Sequence, residues 1–323
     1  MDFQGKKIVV TGAAGFIGSN LVDRLLELGA EVVGIDNLFN GRLENLELAL
    51  KNEKFTFYKG NVEDLSFLLD IFKDVDIIYH EAAFTSVPQS ILMPELCNQV
   101  NVKGVLNILN AARQKDIRKV IFASSASVYG DSPILPKKEE MKREPKSPYG
   151  VAKMTGEAYM QVYHHIYGIK TASLRYFNVF GPRQKDSPYS GVIAIWLGRI
   201  LRDKNLIVFG DGTNTRDFTY IKDVVQANIL AGKHPAEGKI MNISCNNPIS
   251  LTNLAKLMLR ITNKKNLQIE YTDPRPGDIM HSYGDISLAK ESINFNPEYD
   301  QEKGLREYFT WYKQKYNVDL NLN

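Results

Sequence analysis

A glycine-rich turn between a short apolar strand and an amphipathic helix constrains this chain more than any other feature. Residues 6–11 read as a strand. Thr11-Gly12-Ala13-Ala14-Gly15-Phe16-Ile17-Gly18 follows, and residues 16–28 carry Phe16, Ile17, Leu21, Leu25 and Leu28 at helical spacing before Gly29. Apolar residues recurring every three or four positions predict a helix, and a Gly just beyond them predicts its stop. Glycines here permit a tight turn and let backbone N–H groups approach a pyrophosphate. The following helix offers its free donors and positive dipole end to the same group. The spacing is G-x-x-G-x-x-G rather than G-x-G-x-x-G, so the order strand, glycines, helix carries the reading more than the pattern itself.

Strand and helix patterns go on alternating. Strands are expected at 31–35, 55–58, 76–80, 119–123 and 170–176, with helical segments near 42–51, 64–72, 94–114 and 149–167. This alternation predicts the α/β class, a doubly wound parallel (Rossmann) sheet with helices on both faces. After residue 180 Gly and Pro become frequent, as in Gly181-Pro182, Gly210-Asp211-Gly212 and Pro274-Arg275-Pro276-Gly277. Residues 1–179 are therefore expected to form the dinucleotide-binding domain, to which the segment around 213–233 returns. Residues 180–323 are expected to form a smaller α/β lobe over the sheet's C-terminal edge, where ligands of doubly wound folds bind.

Composition excludes several classes. Forty Lys and Arg against 37 Asp and Glu leave a net charge of +3 over 323 residues, spread along the chain. That argues against a nucleic-acid partner, whose site would cluster basic residues. The run Lys137–Glu144 is nearly balanced and reads as a solvated loop. Two cysteines, Cys97 and Cys245, are too few for a disulfide framework and read as small packing residues in a reducing compartment. With no apolar span long enough for a signal peptide or a membrane helix, a cytoplasmic protein without a membrane partner is expected. No metal site is expected.

Candidate site residues fall at strand ends. Asp36 at the end of the second strand can accept both hydroxyls of an adenosine ribose and repel a 2′-phosphate, which favours NAD over NADP. Asn61 and Val62 end the third strand, where an adenine edge fits. His80-Glu81-Ala82-Ala83 ends the fourth; the small Ala82 and Ala83 let the chain pass close to a cofactor, and His80 reads as a hydrogen-bonded structural residue. Ser147-Pro148 forms an N-cap and N1 pair, and a helix starting there puts Tyr149 and Lys153 on one face. A nearby ammonium and a positive nicotinamide favour the phenolate of a tyrosine, making Tyr149 a general base near neutral pH. Ser124-Ser125-Ala126-Ser127, after the strand 119–123, offers hydroxyls that align a reacting oxygen with Tyr149.

Together, Thr11–Gly18, Asp36, Ser125, Tyr149 and Lys153 resemble the signature of extended short-chain dehydrogenases/reductases. The likeness continues through Arg175-Tyr176-Phe177-Asn178-Val179-Phe180-Gly181-Pro182-Arg183, Gly210-Asp211-Gly212, Arg216-Asp217-Phe218-Thr219-Tyr220 and Arg275-Pro276-Gly277-Asp278. The set is similar to that of UDP-glucose and UDP-N-acetylglucosamine 4-epimerases, over nearly the whole chain. The resemblance implies Ser125, Tyr149 and Lys153 as catalytic residues. The tyrosine takes the 4-hydroxyl proton while a tightly bound NAD takes the C4 hydride; the 4-keto sugar turns over and receives the hydride on its other face. It implies cofactor contacts at Gly12, Gly15, Phe16, Ile17, Gly18, Asp36, Asn37, Asn61, Val62, Ala82, Ala83, Ser124, Tyr149, Lys153 and Tyr176. It implies that Arg216 and Arg275 hold the UDP diphosphate and Asp278 the uridine ribose. Asn178 reaches sugar or diphosphate, Ile193 and Val208 border the uracil, and Ser86, Ser125, Ser127 and Tyr149 contact the sugar.

Small Ser282 stands where family members restricted to plain sugars carry Tyr, and Ser86-Val87-Pro88-Gln89-Ser90 resembles the version in N-acetyl-accepting members. Asn61 departs from the family's acidic residue. The family's long helices, matching 94–114 and 149–167, imply a homodimer. Alternatives on the same scaffold are a UDP-glucuronate epimerase or decarboxylase, a 4,6-dehydratase, or a non-catalytic NAD-binding sensor. Dehydratases carry an Asp-Glu pair where this chain has Ala126-Ser127, UDP-glucuronate enzymes an Arg near 84–90, and sensors often lack the Tyr or Lys present here.

Overall fold

Buried β-strands present alternate side chains to opposite faces, so a sheet covered on both sides must be apolar throughout. Val9 faces one core while Ile8 and Val10 face the other; Ile78 parts from Ile77 and Tyr79 in the same way, and Phe122 from Ile121 and Ala123. The computed structural model describes residues 3–184, 191–235, 237–274 and 279–318, with 320 and 322. β1 (Lys7–Thr11), α1 (Phe16–Glu27), β2 (Glu31–Asp36) and β3 (Phe55–Lys59) open the chain. α2 (Leu65–Ile71) and β4 (Ile77–His80) follow, then α3 (Val87–Leu92), α4 (Pro94–Asn98), α5 (Gly104–Gln114) and β5 (Lys119–Ser125). α6 (Pro148–Tyr167) leads to β6 (Lys170–Tyr176) and β7 (Asn178–Phe180). Beyond them come α7 (Val192–Leu201), β8 (Leu206–Phe209), β9 (Thr215–Arg216), β10 (Phe218–Tyr220), α8 (Ile221–Lys233) and β11 (Lys239–Ile243). The chain ends through β12 (Ile249–Ser250), α9 (Leu251–Ile261), β13 (Ile269–Thr272), β14 (His281–Ser282), α10 (Ser287–Ile293) and α11 (Gln301–Tyr316).

Seven of these strands form one parallel sheet in the order β11-β6-β5-β4-β1-β2-β3. α1 and α8 cover one face through Leu21, Val22, Leu25, Val224 and Ala227. α2, α5 and α6 cover the other through Leu68, Val105, Ile108, Leu109 and Met160. The doubly wound α/β class read from the sequence is the one observed. Sequence patterning predicts six of the seven strands. The seventh, β11, has a shorter apolar pattern and comes from the second half of the chain, where it pairs with β6. α8 lies close on the sheet because residue 232 is Gly: a Cβ there would stand 2.0 Å from the Tyr79 hydroxyl. Three smaller sheets, β10-β7, β12-β9-β14 and β13-β8, build the rest.

Three local expectations differ from the structure. The helix expected near 42–51 is two 3₁₀ turns, Leu43–Leu46 and Ala49–Lys51. Leu46 and Ala49, three apart, are the buried pair, a spacing that suits the tighter helix, and the Asn45 amide holds the first turn by donating to the Ala14 carbonyl at 2.9 Å. The helix expected over 94–114 is broken by a π turn at Gln99–Lys103. There the buried Asn101 clasps Phe84, its carbonyl accepting from the Phe84 N–H (2.7 Å) and its amide donating to the Phe84 carbonyl (3.0 Å). Finally, Lys137–Glu144 is not simply solvated. Lys137 is buried, with its ammonium bonded to the carbonyls of Ser132 and Ile134, and Glu139 accepts from the Asn242 N–H at 2.7 Å. These charges find internal partners that a run of alternating signs does not reveal. No described helix is long and apolar enough to cross a membrane.

Candidate active site

The turn after β1 is shaped for an anion. Gly12 has φ +67°, a conformation that favours glycine, and a Cβ on Gly18 would stand 2.1 Å from the Gly12 carbonyl oxygen. α1 therefore starts hard against the turn. Its N-cap, Gly15, supplies no side-chain cap and its first turn has no acidic residue. The first amides of the helix, at Phe16, Ile17 and Gly18, have no intrahelical acceptors and line a cleft of about 1120 Å³. Asp36 stands beside them. One carboxylate oxygen accepts from the Ala14 N–H (3.0 Å), the other from the Leu38 N–H (2.7 Å). Burial raises its carboxyl above the ordinary range, and the two backbone donors oppose the rise. At the end of β2, the Asn37 amide donates to the Asn61 carbonyl oxygen at 2.9 Å.

The same cleft runs across the C-terminal ends of β4, β5 and β6. Ser147 caps α6 by accepting from the Gly150 N–H at 3.1 Å, with Pro148 in the first turn, so Tyr149 and Lys153 share one face. A second anchor comes from α3. The Ser90 hydroxyl accepts from the Tyr149 N–H (3.2 Å) and donates to the Val87 carbonyl (2.7 Å), while Ser86 caps α3. Ser125, at the end of β5, lines the cleft beside Tyr149. Lys153 is buried, donates to the Ala123 carbonyl at 2.7 Å, and lies 5.8 Å from the centre of the Tyr149 ring.

The electrostatics of the pair are set by burial. It pushes the Tyr149 phenol up to about 12, a rise that Ser125 opposes and Cys97 and Glu81 reinforce. Burial pushes the Lys153 ammonium down to about 8. Without a positive nicotinamide beside it, burial keeps Tyr149 a phenol. Behind the pair lies a buried network. The Ser124 hydroxyl donates to Glu157 (2.6 Å), which also takes two bonds from Arg175 (2.7 and 2.8 Å), and Arg175 donates to the Tyr129 hydroxyl at 2.7 Å. His80 is buried against the Thr11 hydroxyl (2.8 Å) and burial holds its imidazole down at about 3, a structural histidine. Cys97 is buried and Cys245 half-buried, both with free thiols.

All fifteen sequence-predicted cofactor residues line the cleft, with Ser86 and Ser125 beside Tyr149. The remaining described candidates lie outside its wall. Arg216 on β9 pairs with Ser282 on β14, and its guanidinium donates to the carbonyls of Thr215 (2.9 Å) and Met280 (3.2 Å). Asn178 is exposed at the start of β7. Ile193 and Val208 are buried. Ser127 is half-buried, and its hydroxyl has no hydrogen-bond partner. Arg275 and Asp278 lie outside the described residues. Sequence reasoning missed Glu81, Arg42, Arg183, Tyr312 and Tyr316 in the cleft wall. For Glu81 a signal existed: a carboxylate among the small residues that follow a fully buried strand.

A parallel sheet with a glycine turn after β1 and a Tyr-Lys pair on the helix between β5 and β6 defines a dinucleotide enzyme of the short-chain dehydrogenase/reductase type. The chain belongs to the NAD dependent epimerase/dehydratase family, whose model matches residues 8–244, and NAD is its cofactor. It is 37% identical over 312 residues to a UDP-glucose 4-epimerase of Mycolicibacterium smegmatis, covering 96% of this chain and 99% of that one. It resembles the structure of a UDP-N-acetylglucosamine 4-epimerase from Methanobrevibacter ruminantium in complex with UDP-N-acetylmuramic acid, with TM-score 0.91 and 38% identity over 97% and 99% of the two chains. A UDP-glucuronic acid 4-epimerase from Bacillus cereus in complex with UDP-glucuronic acid and NAD is also similar, with TM-score 0.87 and 33% identity over 96% and 100%. Among family members this chain falls with the UDP-sugar 4-epimerases.

Proposed function

We propose that the protein inverts C4 of UDP-glucose and UDP-galactose and, through the small Ser282, of their N-acetylated counterparts. The observation that carries this reading is the convergence of Ser125, at the end of β5, with Tyr149 and Lys153, one turn apart on α6, in the wall of one cleft. NAD, held by the Gly12–Gly18 turn and Asp36, supplies the acceptor and donor of the C4 hydride. Tyr149 takes the proton of the 4-hydroxyl and returns it after the 4-keto sugar has turned over. Ser125 holds the C4 oxygen in line with the phenol. The Lys153 ammonium, anchored on the Ala123 carbonyl, favours loss of the Tyr149 proton once a positive nicotinamide offsets the effect of burial.

In the same reading, residues 1–179 with the segment around 213–233 carry NAD, and 180–323 carry the UDP-sugar apart from β11. Arg216 and Arg275 hold the diphosphate, Asp278 the ribose, and Asn178 and Ser127 the sugar side. Val151, Val162, Ile166 and Tyr167 are exposed on α6 and Ile91 and Leu92 on α3, which supports pairing of two copies into a homodimer. Sedimentation at two concentrations reads that pairing directly.

The 4,6-dehydratase reading lacks an acid and base at Ala126-Ser127, and the UDP-glucuronate reading lacks an Arg at 84–90. Purified protein incubated separately with UDP-glucose, UDP-N-acetylglucosamine and UDP-glucuronate, followed by proton NMR, tests all three. C4 inversion of the first two supports the proposal. Turnover of UDP-glucuronate alone, or loss of water from the sugar, overturns it.

A further inference from the structure

Glu81 lines the same cleft as Ser125, Tyr149 and Lys153, and the proposed chemistry does not use it. It directly follows β4, and its own N–H donates to the Thr11 carbonyl at 3.2 Å, which fixes its main chain between β1 and β5. Its side chain takes a hydrogen bond from the Tyr176 hydroxyl at 2.9 Å, and that hydroxyl takes one from the Asn228 amide at 2.7 Å. A phenol has one proton to give. Because the Asn228 amide can only donate, the Tyr176 proton is committed to Glu81, and the chain Asn228, Tyr176, Glu81 runs in one direction and ends on an acceptor. This arrangement favours the carboxylate, whereas burial disfavours it. We propose that Glu81 is a positioning residue that sets the charge state of the Tyr149–Lys153 pair from the wall of the cleft.

The groups around it are few. Tyr79 and the adjoining His80 come from β4, Tyr149 and Lys153 from α6 and Tyr176 from β6, while Cys97 and Glu157 act on Lys153 from its other sides. His80 stays neutral, and Glu157 is engaged with Arg175, so Lys153 is the cation that Glu81 meets. Burial lifts the Glu81 carboxyl to about 7, lowered in part by the Tyr176 bond and by Lys153. Its negative form raises Lys153, first among the charges that do so, and also raises Tyr149. Glu81 thus preserves the ammonium and holds back the phenolate at once. A change in its charge moves both groups in the same direction.

The inference rests on Tyr149 as the proton acceptor. Its test is the pH profile of kcat/KM for C4 inversion by the NAD-bound enzyme, compared with Glu81→Gln, which keeps the shape and an acceptor for Tyr176 but removes the charge. Both limbs are expected to move to lower pH together, by about one unit, the lower end of what a neighbouring charge does in a buried site. Ultraviolet difference absorbance between full-length proteins with and without Tyr149→Phe gives the phenolate titration independently of turnover, and it should move the same way. Glu81→Asp keeps the charge and should bring the limbs back toward their original positions. Should Glu81→Gln fail to fold, Tyr176→Phe removes the donor to Glu81 and should shift the acid limb in the same direction by less. Limbs and phenolate titration that stay in place in these variants, whatever happens to stability or to the height of the profile, overturn the proposal. Turnover retained in Tyr149→Phe overturns the reading of the site instead.

Discussion

Replacing Glu157 by Ala would leave a guanidinium stranded in the interior. Glu157 is fully buried and Arg175 is 1% exposed; they share two short bonds, and Ser124 adds a third to the same carboxylate. Breaking a buried pair by removing one partner costs about 3–5 kcal/mol, because the remaining charge has neither water nor a counter-ion. A domain is stable by only about 5–15 kcal/mol, so this single change removes a large part of the margin. Arg143, 3.5 Å from Oε2 of Glu157, is partly exposed and loses far less. The urea midpoint followed by circular dichroism should fall steeply in Glu157→Ala. It should recover in the double variant Glu157→Leu with Arg175→Met, which removes both charges and keeps the volume. Turnover should fall as well, since Ser124 adjoins Ser125. A loss under about 1 kcal/mol in the single variant, or a double variant as weak as the two singles added, would refute the assignment of a buried, mutually dependent pair.

Tyr149→Phe should lower turnover by roughly a hundred- to ten-thousand-fold while UDP still binds, measured by steady-state kinetics and calorimetry; near-normal turnover would mean another base. Ser282→Tyr should suppress turnover of UDP-N-acetylglucosamine and spare UDP-glucose, since added bulk rejects the larger sugar; equal effects on both remove Ser282 from specificity. NAD should be released when the purified protein is denatured, and fully active protein free of nicotinamide would contradict a recycled cofactor. His80 stays neutral to about 3 when folded, against an ordinary 6.5, so the unfolded chain binds the extra proton. The stability this represents is present above 6.5 and is lost as pH falls from 6.5 toward 3. His80→Gln should flatten the acid slope of the unfolding midpoint, and an unchanged slope would place the acid sensitivity elsewhere.

Elements whose signals are local were legible in the sequence. The turn at Gly12–Gly18, the Ser147-Pro148 start of α6 and the alternating buried strands each follow from neighbours within a few residues, and each lies where the pattern puts it. Features that depend on distant partners were not legible. The π turn at Gln99–Lys103 accompanies Asn101 bonding to Phe84, and the loop that buries Lys137 is tied down by main-chain bonds of Lys137 with Tyr283 and Asp285. The site divides in the same way. Residues at strand ends converge because the sheet is parallel. Arg216 and Ser282 meet only through pairing of β9 with β14, 66 positions apart. A four-residue spacing reports a charge partner for Tyr149 and says nothing about the desolvation that raises its phenol.

The seventh strand has a consequence for how the chain is made and remade. β11 is synthesised well after every proposed catalytic residue, yet it closes the free edge of β6, the strand that bears Tyr176 and Arg175. Asn228 and Asn242, which complete the polar chains behind the cleft, also arrive in this later stretch. On the ribosome the catalytic half therefore emerges whole in its residues but with an unpaired edge, a state open to improper strand pairing until residue 243 has left the exit tunnel. The two halves are for the same reason not interchangeable cassettes. Recombination that exchanges the second half between relatives must leave α8 and β11 with the first half, so the breakpoints that preserve folding flank residues 221–243 rather than fall at the single junction near 180.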